Sequence, residues 1–499
     1  MSPTIIFAPI TPPAPSLWAR LESRTWVRVV FIVAGFCAPA VAILYPDTLP
    51  MVLGIALVVT GLLYAPWNEL TAFSVLLGAT FLLPANLVIG PLGQAGRPCM
   101  LIAAIMFMYW SFDRIVPGGE SDRRRQPIRV LAILVVMGVL ASYGLAQIRG
   151  MTTIEANGAD AGLMVQISVL GLLLFSADVP GTANVVRRIL ARIVAGAAFL
   201  STAGILQYFQ IIDLSGAIRL PGLKVHTSNS DFIVERDGLY RVAGTATHPI
   251  EYGVVLSLVL PLALHFALKA PKGKRFWPWL AVAVIAAGIP LAVSRSAVLA
   301  TMVALGVYFL TTKLRVLLNL LPLAVLGLIA VQAATPGVLG GILQLFRAVD
   351  DDPSIHGRTA DYEIVFRYWA EYPLFGLGPG TFVPKLYIVL DNEYLYELVT
   401  LGATGLIVRV ALFWCGYVFA RRVSRFAADP ADRDLGQALA GAIAAAAVAA
   451  ATFDAFGFTI MLVVTHVLIG LSGALWRTTV RDPALGISRY RHLPVGNPT

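Results

Sequence analysis

Residues 288–310, GIPLAVSRSAVLATMVALGVYFL, contain one charged side chain, Arg295, in an otherwise apolar run. A guanidinium in hydrocarbon is costly, so such a residue either snorkels to the headgroups or serves a site. A small set of polar residues stands in comparable places: Arg241 and His248 in YRVAGTATHPIEYG, Arg358 in HGRTADY, and Asp391 with Asn392 in LDNEYLYEL. Guanidinium groups beside the free amides of a helix start form an anion site. A carboxylate or imidazole within hydrogen-bond reach can take a proton. Bland readings remain open for several neighbours. Pro249 suits a first helical turn, Glu251 complements a helix dipole, and Glu393 reads as a dipole complement at the start of a span.

These residues need a membrane scaffold. Of the 499 residues 58% are hydrophobic and 13% charged, and the mean hydropathy of +0.78 lies far outside the soluble range. The sequence predicts an all-α polytopic integral membrane protein with about 12–14 transmembrane helices and a long periplasmic loop containing a short amphipathic helix. Apolar runs of spanning length recur at about 26–45, 50–65, 69–89, 98–117, 128–147, 162–179, 189–210, 248–268, 276–293, 296–312, 316–334, 393–419, 437–453 and 456–476. Residues 1–25 read as a cytoplasmic tail, 26–476 as one transmembrane domain and 477–499 as a cytoplasmic tail. The net charge of +9 is spread over short loops, which fits the positive-inside rule and gives no nucleic-acid footprint. Arg20, Arg24 and Arg28, SDRRRQ at 121–126, Arg187 with Arg188, KAPKGKR at 269–275, KLR at 313–315 and RRVSR at 421–425 then fall on one side. Arg295 consequently opens its helix at the outer surface. Cys37, Cys99 and Cys415 lie in or beside apolar runs with no CxxC spacing, so neither zinc nor a disulfide framework is expected.

The outer segments carry most of the polar signals. The loop at 211–247 holds Asp237-Gly238, a hairpin signal that delivers Arg241 just before a helix opening at His248-Pro249. The main outer loop, 335–392, predicts one aromatic helix, with Thr359 or Asp361 at its N-terminal amides, Arg358 just before it and Pro373 ending it. That helix could lie along the interface or pack on the bundle. Gly376, Gly378 and Gly380 follow in a tight turn, where the lack of a preceding strand or a following Lys-Ser/Thr argues against a phosphate loop. Asp454 in TFDAFGF lies at another outer turn.

The ordered set GTATHP, SRS, GRT, PLFGLGPGTF and DN before YLYELVTLGATGL, over about 241–412, resembles the O-antigen ligase and polymerase family. The resemblance implies a metal-independent glycosyltransferase of the bacterial inner membrane, with periplasmic site and cytoplasmic termini. It would take a glycan from undecaprenyl pyrophosphate and join it to a growing polysaccharide or a lipid A core. No cofactor is implied, and polysaccharide assembly proteins are possible company. It assigns Arg295 and Arg358 to the pyrophosphate, with Arg241 contributing. Family ligases typically have His-Asn where this chain has Asp391-Asn392, so Asp391 is the candidate base, with His248 in reserve, and polymerisation is slightly favoured. Two other readings stay open: a secondary transporter, which would carry ionisable groups in mid-span on repeated halves, and a non-catalytic partner that binds lipid-linked glycan.

Overall fold

The computed structural model describes residues 68–115, 127–178, 182–220, 222–225, 235–236, 239–347 and 353–480. The predicted spans at 26–45 and 50–65, Cys37, the SDRRRQ cluster and both predicted tails, apart from the first residues after Arg477, lie outside them. Within them the chain is helical: α1 (Glu69–Phe81), α2 (Pro98–Ile115), α3 (Pro127–Arg149), α4 (Thr153–Ala177), α5 (Ala183–Tyr208), the short α6 (Leu214–Ala217), α7 (Pro249–Lys269), α8 (Phe276–Leu291) and α9 (Arg295–Phe309). There follow α10 (Leu314–Ala334), α11 (Val338–Arg347), α12 (Pro353–Glu371), α13 (Glu393–Thr400), α14 (Gly402–Phe426), α15 (Pro430–Ala449) and α16 (Thr459–Thr479).

Seven of these are long and apolar enough to cross a membrane, and α1, α2, α8 and α9 are shorter apolar helices. The protein is an all-α, multi-pass membrane protein. The central helices are α7 and α16, whose apolar stretches are 89% and 100% buried, whereas that of α10 is 0% buried. An apolar helix with no buried face is tenable only where its surroundings are lipid. Inside, small residues let backbones approach: a Cβ at Gly441 of α15 would lie 2.5 Å from the Ala304 carbonyl oxygen of α9.

Contacts gather described basic segments at one end of the bundle, called here the basic end: Arg114 and Arg129 meet Asp178, Arg477 donates to the Ala177 carbonyl and Arg187 meets Asp432 at the start of α15. The predicted 237–238 hairpin is present as strands Glu235–Arg236 and Leu239–Tyr240, paired Glu235 to Tyr240 and Arg236 to Leu239; the two turn residues lie outside the described set. Three local expectations change. The predicted span at 393–419 is broken at Leu401–Gly402, where Gly402 has φ +68°, so short α13 precedes a longer α14. The loop helix begins at Pro353, which puts Arg358, Thr359 and Asp361 inside α12 and leaves none of them at its N-terminus. Proline fits a first turn and out-competes the later polar cap signal. On α12, Val365 is fully buried while Tyr362 and Phe366 are 45% and 48% exposed, so the helix packs on the bundle by one face only.

Candidate active site

The site end is built from three helix starts and the turns that join them. Segment 241–248 is anchored before α7 begins. Gln207 Oε1 accepts from the amides of Ala243 (3.0 Å) and Gly244 (2.9 Å), and the Thr245 hydroxyl donates to the Phe81 carbonyl (2.7 Å). This fixes Arg241, which is buried and donates through Nε to the Ala292 carbonyl at 3.0 Å. Val242 donates from its amide to Leu291 O, so the segment docks on the α8–α9 turn.

That turn is strained. Val293 sits at φ +43°, a left-handed conformation that a β-branched residue adopts only under constraint, and it is buried against Val338 of α11. Ser294 then caps α9 by accepting from the Ala297 amide (3.4 Å), and half-buried Arg295 is the first helical residue. The expectation that Arg295 opens a helix is thus met.

His248 is the N-cap of α7: its Nδ1 accepts from the Ile250 amide at 3.1 Å. The neutral ring therefore carries its proton on Nε2. Burial lowers its pKa to about 4, and the Arg241 charge adds to the effect. In this arrangement His248 offers an Nε2–H donor, and its basic nitrogen is already engaged. Its ring meets Phe458 at 5.7 Å between centroids.

Packing register brings further groups to the same level. On α7, Gly253 faces Ala292 and Ala297, and Ser257 donates to the Ala297 carbonyl at 3.0 Å, so α7 and α9 run parallel with Arg295 beside the first turns of α7, past His248. Between α9 and α15, Gly441 meets Ala304 and the Gln437 amide reaches the Val307 carbonyl, an antiparallel register that places Arg295 level with Ala450. The Ala450 carbonyl in turn accepts the Glu393 amide at 2.9 Å. Asp391 and Asn392 therefore enter from the far side of α15.

Asn392 caps α13, its Oδ1 accepting from Tyr394 N (3.0 Å) and Leu395 N (3.3 Å). Half-buried Asp391 precedes it and lies close enough to Asp454 to act on it electrostatically. The turn 451–458, which holds Asp454, is the hub that joins these segments. Glu393 accepts from the Phe456 amide (2.8 Å), Asp454 from the Gly457 amide (3.1 Å), and Arg97 donates to the Gly457 carbonyl (3.5 Å). Glu393 is thus used to fix this turn, besides standing at its own helix start. Burial raises the Asp454 carboxyl above the ordinary aspartate value, and Asp391 adds to this while contacts with Glu393 and Gly457 oppose it. Glu251 is fully buried and accepts from Thr247 N (2.8 Å) and Ile460 N (2.6 Å), capping two helices at once.

Arg358 lies in α12, and its side chain falls outside the described residues. The glycine turn is architectural. Gly376 (φ +67°) lets the chain pass so near α13 that a Cβ would sit 2.5 Å from Thr400 backbone, and Leu377 N and Gly378 N bond to the Val399 and Thr400 carbonyls. Beneath the site, Arg409 donates to Glu397 Oε1 through Nε (2.9 Å) and to His466 Nε2 (2.8 Å), over the Phe456 ring. The sequence reading missed this network, although Arg409 in GLIVRVALFW is as isolated in its run as Arg295. It places a buried ion pair, Arg409 with Glu397, inside the predicted span at 393–419. Among the described residues no three of His, Cys, Asp and Glu converge as a metal-binding group.

The region that holds Arg295, Asp391 and Asn392 also carries the family signature. Residues 280–410 match the O-antigen ligase family. This bears out the resemblance over that stretch; Arg241 and His248 lie before it. A search of curated proteins found no match. The matched region thus contains the starts of α9 and α13, and segment 241–248 docks beside the former.

Proposed function

We propose that the protein is a membrane glycosyltransferase of the ligase and polymerase type, moving a glycan from undecaprenyl pyrophosphate to an acceptor hydroxyl. The observation that carries this reading is the register that sets Arg295 level with Ala450 and beside the first turns of α7 that follow His248, with Arg241 bonded to the α8–α9 turn and Asp391 entering from across α15. Cationic groups and a carboxylate then stand around one end of three helices. The basic clusters lie at the opposite end, which by the positive-inside rule supports a periplasmic site, cytoplasmic termini and a place in the bacterial inner membrane.

Arg295 and Arg241, with Arg358, hold the diphosphate oxygens, and the His248 Nε2–H donates to one of them. The acceptor oxygen attacks the anomeric carbon as the carbon–oxygen bond to phosphate breaks. The bonding pair leaves with the diphosphate, whose growing charge the guanidinium groups stabilise without a metal. The acceptor proton passes to the Asp391 carboxylate, and Asn392, as the cap of α13, fixes where that carboxylate stands. A single displacement inverts the anomeric centre. The growing polysaccharide is favoured over lipid A core as acceptor, because Asp391 stands where ligases typically have histidine; assembly proteins would accompany such a polymerase.

The test is protein in nanodiscs, supplied with an undecaprenyl-pyrophosphate-linked repeat unit and a chelator, with lipid-linked products resolved by size. A ladder is expected. Transfer only after adding lipid A core would reassign the protein as a ligase, and inertness under both conditions would overturn the glycosyltransferase reading.

A further inference from the structure

At the basic end, about 30 Å along α14 from its Gly402 start, a cavity of about 290 Å³ is lined by Tyr417, Val418, Arg421, Arg422, Arg425 and Phe426. Arg421 is tied to the bundle through Gln437, which also accepts from Ser424 (2.9 Å). Arg422 and Arg425 are exposed and form no ion pair among the described residues.

The same helix face continues toward mid-span as an apolar stripe. Ile407 (66% exposed), Val410 (49%) and Trp414 (67%) recur at three- and four-residue spacing and lead to Val418, Arg421 and Arg425. A track that holds a hydrocarbon chain and ends in a cluster of guanidinium groups matches one class of ligand in both parts. A free phosphate would use only the cluster.

The geometry points to a bound anionic glycerophospholipid, its phosphate held by Arg422 and Arg425 with Arg421 behind them, and an acyl chain laid along Ile407, Val410 and Trp414. On the proposed topology this is a lipid of the cytoplasmic leaflet, on the side away from the glycan donor. Juxtamembrane arginines attract anionic headgroups by about 1 kcal/mol each, and the forked donors add directed bonds to phosphate oxygens.

The experiment uses the full chain in phosphatidylcholine nanodiscs, with thermal unfolding and native mass spectrometry read against added phosphatidylglycerol, added phosphatidylcholine or inorganic phosphate. Phosphatidylglycerol is expected to be retained and to raise Tm where the other two do not. The Arg422→Gln/Arg425→Gln variant should weaken its apparent affinity roughly 10–30-fold. The Lys272→Gln/Lys274→Gln variant removes two exposed charges from the same end and should leave the affinity within about twofold. Equal losses in the two variants would reduce the pocket to diffuse surface charge and overturn the proposal. So would undiminished binding by the arginine variant, or stabilisation by inorganic phosphate equal to that by the lipid. None of these readouts depends on transferase activity, so the proposed function and the lipid site can fail separately.

Discussion

At the basic end Asp178 is met by Arg129 (2.7 Å), by Arg114 and by the Trp110 indole (2.7 Å), and Asp432 by Arg187 (2.5 Å). At the site end Glu251, Glu393 and Asp454 instead accept from backbone amides, while Arg241 and Arg97 donate to backbone carbonyls. The first arrangement cancels charge side chain to side chain and acts as a latch between helices. The second fixes the positions of acids and arginines through the main chain, so that positioning them does not itself require neutralising them against one another. The proposed transfer, which brings an anion and a proton to this end, needs that condition. Phosphate recognition at the basic end would fall to the exposed Arg422 and Arg425, outside the latch.

The comparison can be broken first on activity. Asp391→Asn should lower transfer by about 10²–10⁴-fold, and Arg295→Ala by about 10²–10³-fold with weakened donor binding. Asp432→Asn at the latch should leave the per-molecule rate within a few-fold of wild type, as measured by product formed per folded protein. If Asp432→Asn proves as damaging as Asp391→Asn, the two ends do not differ in the way described.

Stability provides the next contrast. Arg409→Ala strands the buried Glu397 carboxylate and should cost about 3–5 kcal/mol, whereas a Glu397→Leu/Arg409→Met pair should recover much of it. Arg187→Ala leaves the buried Asp432 carboxylate near a rim that water can reach and should cost less, about 1–3 kcal/mol. Thermal unfolding in one nanodisc composition compares all three variants.

The smallest effects are in pH dependence. For His248 the unfolded chain takes up a proton below the ordinary value of 6.5, and the folded chain resists until about 4. Stability should fall as pH drops through that window, and His248→Asn, which keeps a cap, should lose this slope. Asp454 has the opposite sign: its raised carboxyl pKa makes stability fall as pH rises above the usual aspartate value. Asp454→Asn should flatten that limb in the same pH series of unfolding curves.

Much of the helical pattern was legible because a spanning helix must be apolar over a fixed length. Twelve predicted spans correspond to helices here, from α1 to α16, with α13 and α14 sharing one run. The start of α9 at Arg295 was legible too, since the apolar run at 296–312 begins beside it. What misled was local competition between signals, as at α12, where Pro353 starts the helix ahead of the polar residues near Arg358. Gly402 broke a run whose hydropathy shows no interruption.

Of the site, the sequence determined the kinds of chemistry: arginines and an Asp-Asn pair at the ends of apolar runs, in an order that matched a family over residues 280–410. It also separated the basic loops from the candidate site residues, because charge is excluded from hydrocarbon and collects where helices end. Only the tertiary structure decided which ends meet. Arg409 finds partners 12 and 57 residues away, Glu393 holds an amide 63 residues on, and Arg241 docks 51 residues along the chain. The same side chain in an apolar run can be an ion-pair member, as Arg409 is, or the first residue of a strained helix start, as Arg295 is. Local composition is alike in the two cases, and the difference lies in helix register, which small-residue contacts such as Gly441 on Ala304 set across the whole bundle.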